Sequence, residues 1–225
     1  MTPEKFMKFA GVSRETLAKF ISYHAIMLKW QAKINLVSAS TLDEIWDRHF
    51  ADSAQYFYLL SVDDKVVVDL GSGAGLPAIP LALMARASGL TTNFHLVESD
   101  GRKAAFLIEA ARVVELLNVK LRIHAQRAEK FAAGAMSGTA DLVTARALGR
   151  LAQLLSYAQP LLAPTGRCIF LKGERAQGEI AEARDAGWQF DVVAHPSRLA
   201  PDSAALEIRN LRREPGLAAT PQGKL

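Results

Sequence analysis

The stretch Asp69-Leu-Gly-Ser-Gly-Ala-Gly-Leu-Pro77 decides the fold, because it joins a short apolar run to the start of a helical pattern. The apolar run covers 65–70 and is typical of a strand buried on both faces. The alternating glycines permit a sharp turn and the close approach of a ligand to the backbone. Proline suits the first turn of a helix, here one that continues through Leu81, Leu83 and Met84. The stretch therefore predicts a strand, a ligand-binding loop and a helix, in that order.

The same alternation of strand and helix continues along the chain. Further strands are predicted at 93–98, 119–125, 141–145 and 167–171, and strand-like stretches near 188–194 and 204–211 could form a terminal antiparallel pair. Helical patterns lie between them, one from Phe106 to Leu117 and one from Leu148 to Leu162. Such units with right-handed crossovers build an open, mostly parallel α/β sheet with helices on both faces. Ligands of these sheets bind beyond the C-terminal ends of the strands.

The chain before this region is predicted to be helical. Ser13 can cap a first helix, and Thr41-Leu-Asp-Glu44 matches a capping box that would start a second. Each helix has an apolar stripe at helical spacing, formed by Leu17, Phe20, Ile21, His24 and Leu28 and by Ile45, Trp46, His49, Phe50, Ser53 and Phe57. We therefore divide the chain into a helical extension at 1–60, an α/β domain at 61–213 and a flexible tail at 214–225.

Composition and charge narrow the class of protein. The 225 residues include one cysteine, Cys168, so an internal disulfide is excluded and a reducing cytoplasm is the expected location. No apolar run approaches the roughly 20 residues that span a bilayer, so no membrane association is expected. The net charge of +4 and the isoelectric point near 9.3 favour a polyanionic partner such as a nucleic acid.

The glycine loop indicates the type of ligand. A dinucleotide fingerprint needs Gly-x-Gly-x-x-Gly, but this loop has Gly71-x-Gly73-x-Gly75, with Leu76 where the third fingerprint glycine would stand. The strand also ends in an acid, Asp69, which suits an ammonium or sulfonium better than a pyrophosphate. The loop thus favours S-adenosylmethionine, while a nicotinamide- or flavin-binding oxidoreductase remains an alternative.

Polar residues at other strand ends support a nucleoside ligand. Glu98 ends the second strand and can accept from ribose hydroxyls, although NAD enzymes use the same device. Ala128 and Glu129 follow the third strand, where a backbone group and an acid could contact the adenine edge. Arg146 ends the fourth strand and can bind phosphate or the O6/N7 edge of guanine. A solvated arginine or a structural ion pair is the alternative for Arg146.

Other chemistries lack their residues. The sequence has no Pro-Pro dipeptide, so the Asn/Asp-Pro-Pro-aromatic motif of exocyclic-amine methyltransferases is missing. Cys168 lies inside an apolar strand as an inert core thiol, so C5 methylation through a cysteine adduct is not expected. The five histidines have no metal-ligand spacing, so no metal is expected.

With these residues identified, the chain resembles the RsmG (GidB) family of 16S ribosomal RNA guanine-N7 methyltransferases over nearly its whole length. The most specific match is Arg48-His-x-x-Asp52-Ser followed by the glycine loop and Leu76-Pro77. Weaker matches occur in order along the chain: Trp30-Gln-Ala-Lys-Ile-Asn35, Glu98-Ser-Asp-Gly-Arg-Lys103, Arg127-Ala-Glu129, Thr144-Ala-Arg146 and Leu171-Lys-Gly173. The chain departs from the family pattern at Gln31, Val37 and Ala78.

The resemblance implies a Rossmann-like class I methyltransferase with a seven-stranded sheet behind an N-terminal helical extension. It implies methyl transfer from S-adenosylmethionine to N7 of a single guanine, in the 530 loop of 16S rRNA, by a cytoplasmic monomer whose partner is 16S rRNA or the small ribosomal subunit. The implied catalytic residues are Arg146, His49 and Asp52. The implied cofactor contacts are Asp69, Gly71, Gly73, Leu76, Glu98, Ala128, Glu129 and Arg146. A class I methyltransferase acting on a small molecule or a protein is the nearest alternative.

Overall fold

Seven strands form one mixed sheet in the order β3-β2-β1-β4-β5-β7-β6. The computed structural model describes residues 1–214, so the predicted tail at 214–225 lies outside the described residues except for Glu214. The strands are β1 (Val66–Leu70), β2 (Asn93–Glu98), β3 (Leu121–Ala125), β4 (Ala140–Arg146), β5 (Leu162–Lys172), β6 (Trp188–Pro196) and β7 (Ala204–Arg213). β1 to β5 are parallel, and β7 runs antiparallel to both β5 and β6. All the predicted strands and the terminal antiparallel pair are confirmed.

Helices cover both faces of this sheet, and side chains alternate between the two cores along each strand. On β1, Val67 packs into one core and Val68 into the other. The first core contains the N-terminal helices with α4 and α5, and the second contains α6, α7 and α8. The helices are α1 (Pro3–Ala10), α2 (Arg14–Gln31), α3 (Asp52–Ala54), α4 (Ala78–Ala87), α5 (Gly101–Val113), α6 (Ala128–Ala132), α7 (Leu151–Ala158) and α8 (Ala176–Asp185). No described helix is long and apolar enough to cross a membrane.

The N-terminal helices pack through an aromatic cluster. Ser13 caps α2 as predicted, with its Oγ accepting from the Thr16 amide at 3.1 Å. Phe6, Phe20 and Phe50 are fully buried, and the rings of Phe6 and Phe20 are 4.7 Å apart. This cluster joins α1 and α2 to the same core as the sheet, so the extension is fixed relative to the strand ends.

The predicted stripe on α2 is partly wrong. Leu17 and Phe20 are buried, but Ile21 and Leu28 are 45% and 44% exposed. The buried face continues instead through Tyr23, Ile26 and Met27. The helix carries apolar residues on two sides, and only packing against α4 and α5 decides which side is covered.

The predicted capping box is also wrong. Thr41 lies within a 3₁₀ helix (Ala39–Glu44), and a π-helix (Ile45–Ala51) follows without a side-chain cap. The hydroxyl of Thr41 donates to the carbonyl of Ser38 and bonds His49 instead. The predicted burial of the second stripe is confirmed for its first five residues, whereas Phe57 is only half-buried.

Two other boundaries differ from prediction. β3 begins at Leu121 rather than at 119, and Leu117 lies beyond the end of α5. The helix predicted from Leu148 to Leu162 spans only Leu151–Ala158. Pro160 cannot continue a helix because it lacks an amide hydrogen, and Leu162 already begins β5.

Candidate active site

The loop between β1 and α4 lies at the C-terminal edge of the sheet, and its amides are already bonded within the protein. The amides of Gly71 and Ser72 donate to the carbonyl of Val97 at 2.9 and 3.1 Å. The amide of Gly73 donates to Oε2 of Glu98 at 2.8 Å. A pyrophosphate site needs such amides free to bind oxygen. This loop therefore does not form the phosphate cradle of a dinucleotide fold.

All three glycines of the loop have positive φ, a conformation that favours the absence of a side chain, and two of them show how the loop packs. Gly73 has φ of +50° and Gly75 has φ of +81°. A Cβ on Gly75 would lie 2.5 Å from Cδ1 of Ile79 and 3.0 Å from the hydroxyl of Tyr23. A Cβ on Gly73 would meet only the carbonyl oxygen of Gly71, at 3.8 Å. Gly75 thus permits tight packing behind the loop, and Gly73 leaves its front open.

Asp69 is the next-to-last residue of β1, lies behind the loop and is 1% exposed. Its Oδ1 accepts from the hydroxyl of Thr144 at 2.7 Å, but its buried Oδ2 has no partner among the described residues. Burial raises the pKa of Asp69 to about 7, against the lowering effect of the hydrogen bond from Thr144. An unpartnered buried carboxylate oxygen is costly unless a ligand or water donates to it.

Glu98 ends β2 and is also buried. One carboxylate oxygen accepts from Gly73 and the other from the amide of Asp100, each at 2.8 Å. Each carboxylate oxygen has two lone pairs, so both retain capacity for a ligand donor. Glu98 therefore holds the glycine loop against the end of β2 and still offers acceptors.

A cavity of about 280 Å³, which we call the loop cavity, opens in front of this loop. It brings together four of the predicted cofactor residues, Gly71, Gly73, Leu76 and Arg146, with the predicted catalytic residue His49. The other lining residues are Leu36, Val37, Ser38, Ser72, Ala74, Lys103 and Ala147. The other four predicted cofactor residues do not line it: Asp69 and Glu98 are buried at the strand ends, and Ala128 and Glu129 begin α6, where Glu129 accepts from the hydroxyl of Tyr157 at 2.9 Å.

Arg146 ends β4 and connects to the N-terminal extension. Its Nη2 donates to the carbonyl of Arg48 and to Nδ1 of His49, both at 3.0 Å. Arginine can only donate, so Nδ1 of His49 accepts and its protonated Nε2 donates to Thr41 Oγ1 at 2.9 Å. Burial, with the charges of Arg146 and Arg48, lowers the pKa of His49 to about 4. His49 is therefore a neutral acceptor that orients Arg146.

Asp52 lies on the other side of Arg146. Its Oδ1 accepts from Gln55 Nε2 at 2.8 Å and from Ser197 Oγ at 3.2 Å, while Oδ2 is 3.8 Å from Nη1 of Arg146. That Nη1 is buried and has no hydrogen-bond partner among the described residues. Burial lowers the pKa of Arg146, and the charge of Asp52 opposes this effect. The three predicted catalytic residues are thus in one cluster.

Basic side chains surround the same edge, but not all of them are free. Arg48 and Arg127 are exposed, and Lys103 is half-buried in the loop cavity. The ammonium group of Lys172 donates to the carbonyl of Gly149 at 2.6 Å and to Glu179 at 2.7 Å. Lys172 is therefore bonded within the protein, and Arg48, Lys103 and Arg127 are basic groups left for a ligand at this edge.

Several residues of the site were missed by the sequence patterns. The Tyr23 hydroxyl donates to the carbonyl of Ala74 and so fixes the glycine loop from α2. Gln31 accepts from the amides of Leu36 and Val37 at 2.9 and 3.1 Å and shapes the segment that lines the loop cavity. No local signal marks a tyrosine or glutamine for these long-range contacts. Among residues 1–214 there is no cluster of three metal-binding side chains.

Comparison with known proteins agrees with this arrangement. The GidB family model, described as rRNA small subunit methyltransferase G, matches residues 16–199. The ribosomal RNA small subunit methyltransferase G of Rhodospirillum centenum is 48% identical over 206 residues, which cover 92% of this chain and 89% of the relative.

Solved structures of low sequence identity share the fold. An S-adenosylmethionine-dependent methyltransferase from Aquifex aeolicus is similar with a TM-score of 0.58 and 12% identity, covering 80% of this chain and 99% of that chain. The TYW2 protein of M. jannaschii, solved in complex with AdoMet, is similar with a TM-score of 0.53 and 18% identity, covering 81% of this chain and 80% of that chain. These likenesses place the sheet and its helices in the class I methyltransferase fold.

Proposed function

The chain belongs to the GidB family of rRNA small subunit methyltransferases G, and from this membership we propose that it methylates N7 of one guanine in the 530 loop of 16S rRNA. Its cofactor is S-adenosylmethionine and its substrate class is small-subunit rRNA. The observation that carries the proposal is the cluster at the sheet edge, where the glycine loop and an arginine with an unpartnered donor line one cavity and an unpartnered acid, Asp69, is buried behind the loop.

The residues present fit S-adenosylmethionine. The buried Oδ2 of Asp69 lacks a partner, and a cationic ligand with an ammonium group can supply a donor, directly or through water. Glu98 retains acceptor capacity for the ribose hydroxyls. Gly71, Gly73 and Leu76 would contact the bound cofactor from the loop, and we place Ala128 and Glu129 at its adenine end. When bound, the cofactor supplies an electrophilic methyl group.

The chemistry requires positioning more than proton transfer. Guanine N7 carries an in-plane lone pair and no proton at neutral pH, so its attack needs no general base. His49 is not available as a base, because its Nδ1 accepts from Arg146 and its Nε2 donates to Thr41. Arg146 would hold the base through O6 without competing for N7. Holding reactants in line accounts for up to about 7–11 kcal/mol in favourable cases.

Binding of the RNA substrate also requires basic side chains around the opening of the cavity. The target guanine would leave its stack to enter the cavity. We propose that Arg48, Lys103 and Arg127 contact RNA phosphates around the opening, with residues 1–60 acting as an extension that caps the methyltransferase domain at 61–213. We further propose that the protein acts as a monomer in the cytoplasm. Binding through phosphates predicts an affinity for RNA that falls steeply with salt.

One experiment tests the proposal directly. The protein is incubated with labelled S-adenosylmethionine and small-subunit particles that lack the modification, and the methylated nucleotide is mapped. We expect label at N7 of a single guanine in the 530 loop. Label at another nucleotide, on a ribosomal protein or on a small molecule alone would contradict the proposal. Free 16S rRNA, tested in parallel, establishes whether the assembled particle is required.

A further inference from the structure

A second and larger cavity adjoins the loop cavity and shares Arg146 and Ala147 with it. We call it the outer cavity; its volume is about 450 Å³. Its walls are mixed, with apolar or aromatic side chains and three carboxylates. The remaining lining residues are Asp47, Arg48, Asp52, Tyr56, Gly149, Leu171, Lys172, Gly173, Glu179, Leu199, Ala200, Ser203 and Ala204. Its size and walls suit a planar base next to the cofactor.

The three carboxylates of the outer cavity differ in how they are used. Glu179 accepts from Lys172 at 2.7 Å and from the amide of Leu151 at 2.8 Å. Asp47 is paired with the amino group of Met1. Asp52 uses Oδ1 for two hydrogen bonds, but the nearest charged group to its Oδ2 is Nη1 of Arg146, at 3.8 Å and beyond hydrogen-bond range. Each of the three carboxylates thus keeps one oxygen without a hydrogen bond among the described residues. Glu179 and Asp47 are neutralised by Lys172 and by the amino group of Met1, whereas the unbonded oxygen of Asp52 lies beside the unpartnered Nη1 of Arg146.

The order of groups across the two cavities matches the order of atoms around guanine from its Hoogsteen edge to its Watson–Crick edge. N7, O6 and N1 follow one another around the ring, as acceptor, acceptor and donor. In the protein the loop cavity comes first, then Arg146 between the cavities, then Asp52 on the outer side. N7 directed toward the loop cavity would place O6 at the free donor of Arg146 and the N1 hydrogen at the free acceptor of Asp52.

Resting on the function proposed above, we propose that Asp52 is the residue that selects guanine, by accepting a hydrogen bond from N1 beside the Arg146 bond to O6. Adenine presents the opposite pattern, an amino donor where guanine has O6 and a ring acceptor where guanine has the N1 hydrogen. Adenine would therefore set donor against donor at Arg146 and acceptor against acceptor at Asp52. Such mispairing of buried groups is a strong basis for discrimination.

The test compares two bases and two side chains. Small-subunit particles carry either guanine or 2-aminopurine at the target position; 2-aminopurine keeps N7 but lacks O6 and has an acceptor at N1. We expect the wild-type protein to favour guanine by at least about tenfold in kcat/KM. In Asp52→Asn the amide can donate to the acceptor at N1, so the guanine preference should narrow severalfold. An equal loss on both bases, or an unchanged preference, would overturn the assignment.

A control and a second readout separate this role from folding. Asp43→Asn, an exposed carboxylate on the preceding segment, should keep the wild-type preference. Asp52 lines the outer cavity but not the loop cavity. The Asp52→Asn variant should therefore bind S-adenosylhomocysteine with wild-type affinity in calorimetry. The ratio of the equilibrium affinities for the guanine and 2-aminopurine particles should fall in Asp52→Asn by about as much as the ratio of their kcat/KM values.

The wild-type protein alone also tests the assignment, should the variant fail to fold. Inosine keeps N7, O6 and the N1 hydrogen, so an inosine particle should be methylated within about threefold of guanine, whereas 2-aminopurine should be poor. Equal use of all three bases would refute base selection by Asp52. If guanine particles are not methylated although S-adenosylhomocysteine binds, the proposed function fails instead.

Discussion

Arg167 and Arg146 are both largely buried arginines on neighbouring strands, yet they are bonded in opposite ways. Arg167 on β5 donates to both carboxylate oxygens of Asp64, at 2.6 and 2.9 Å, and to the carbonyl of Leu59 at 2.7 Å. Arg146 on β4 is held by a carbonyl and an imidazole through Nη2, and its Nη1 bonds nothing among the described residues. In Arg167 both terminal nitrogens are bonded, and its Nε, which has no hydrogen bond, lies 3.4 Å from the carboxylate of Glu207. An arginine that stabilises the fold is thus surrounded by carboxylates, while one kept for a ligand is oriented through one terminal nitrogen and leaves the other unbonded.

The pKa directions show the same difference. Burial lowers the pKa of Arg167, but the hydrogen bonds and charge of Asp64 more than offset this, so the net pKa is raised. Burial lowers the pKa of Arg146, and Asp52 at 3.8 Å does not compensate fully. The positive charge of Arg146 is therefore only partly balanced, and an acceptor such as guanine O6 would stabilise it by accepting a hydrogen bond from Nη1.

Replacing Arg167 should have the largest effect of the changes considered, and that effect should be on the stability of the fold. Arg167→Ala leaves the buried Asp64 unpaired, so the free energy of unfolding should fall by about 3–5 kcal/mol. Urea denaturation measures the loss. Arg209→Ala is the matched control, since this exposed arginine pairs with Glu207 at the surface and should cost under about 1 kcal/mol. Equal losses in the two variants would mean that burial of the Arg167 pair has no special role.

Replacing Arg146 should lower methyl-transfer activity more than it lowers stability. In Arg146→Ala the base loses the group that aligns it, so single-turnover methyl transfer should fall about a hundredfold. The loss of unfolding free energy should stay well below that of Arg167→Ala, because the vacated space opens onto two cavities. Arg146→Lys should not restore the rate, since a single ammonium cannot bond the Arg48 carbonyl, His49 and a ligand in one plane. A rate near that of the wild type would remove Arg146 from the site.

The two arginines also show what the sequence can and cannot predict. Arg146 was predicted because it follows a buried strand in a Rossmann-like order, and the sheet edge is where ligands bind. The role of Arg167 depends on Asp64, which is 103 residues away, and no local period links the two. Strands and glycine loop are local features, and their predictions were confirmed to within a few residues.

The extension was harder to predict for the same reason. Thr41 has the sequence of a helix cap, but its hydroxyl is used by His49, eight residues away in the sequence, as part of the support of Arg146. Ile21 and Leu28 follow the helical period as well as Phe20 does, and only the position of α5 leaves them exposed. The contacts that build the site from the extension are tertiary, and a periodic pattern does not contain them.

Replacing Glu98 should have a smaller effect, which concerns binding of the cofactor and not of the guanine base. Glu98→Ala removes the acceptor of the Gly73 amide and the predicted ribose acceptor, so S-adenosylmethionine affinity should weaken by at least about 1.5 kcal/mol in calorimetry. Glu98→Gln keeps one carbonyl oxygen and should lose less. Glu109→Ala is the control, because Glu109 bonds Trp30 and Lys29 away from both cavities. Unchanged affinity in Glu98→Ala would refute its place at the ribose.

The smallest expected effect is the release of part of a proton from the Asp69 carboxyl when the cofactor binds. Since burial raises its pKa from 3.8 to about 7, the folded protein binds more protons than the unfolded chain in this window, and stability without ligand should fall as pH rises through it. A cationic ligand favours the carboxylate and so expels the proton.

Near pH 7 the Asp69 carboxyl is about half protonated, so binding of S-adenosylmethionine should release up to about half a proton. Titration calorimetry in two buffers of different ionisation enthalpy measures this number. The affinity should rise as pH approaches 7 and level off above it, because the carboxylate is then already ionised. Asp69→Asn should release no proton and should flatten both the affinity and the stability profiles. Proton uptake by the wild-type protein, or equal release by the variant, would show that the ligand's positive charge does not face the end of β1.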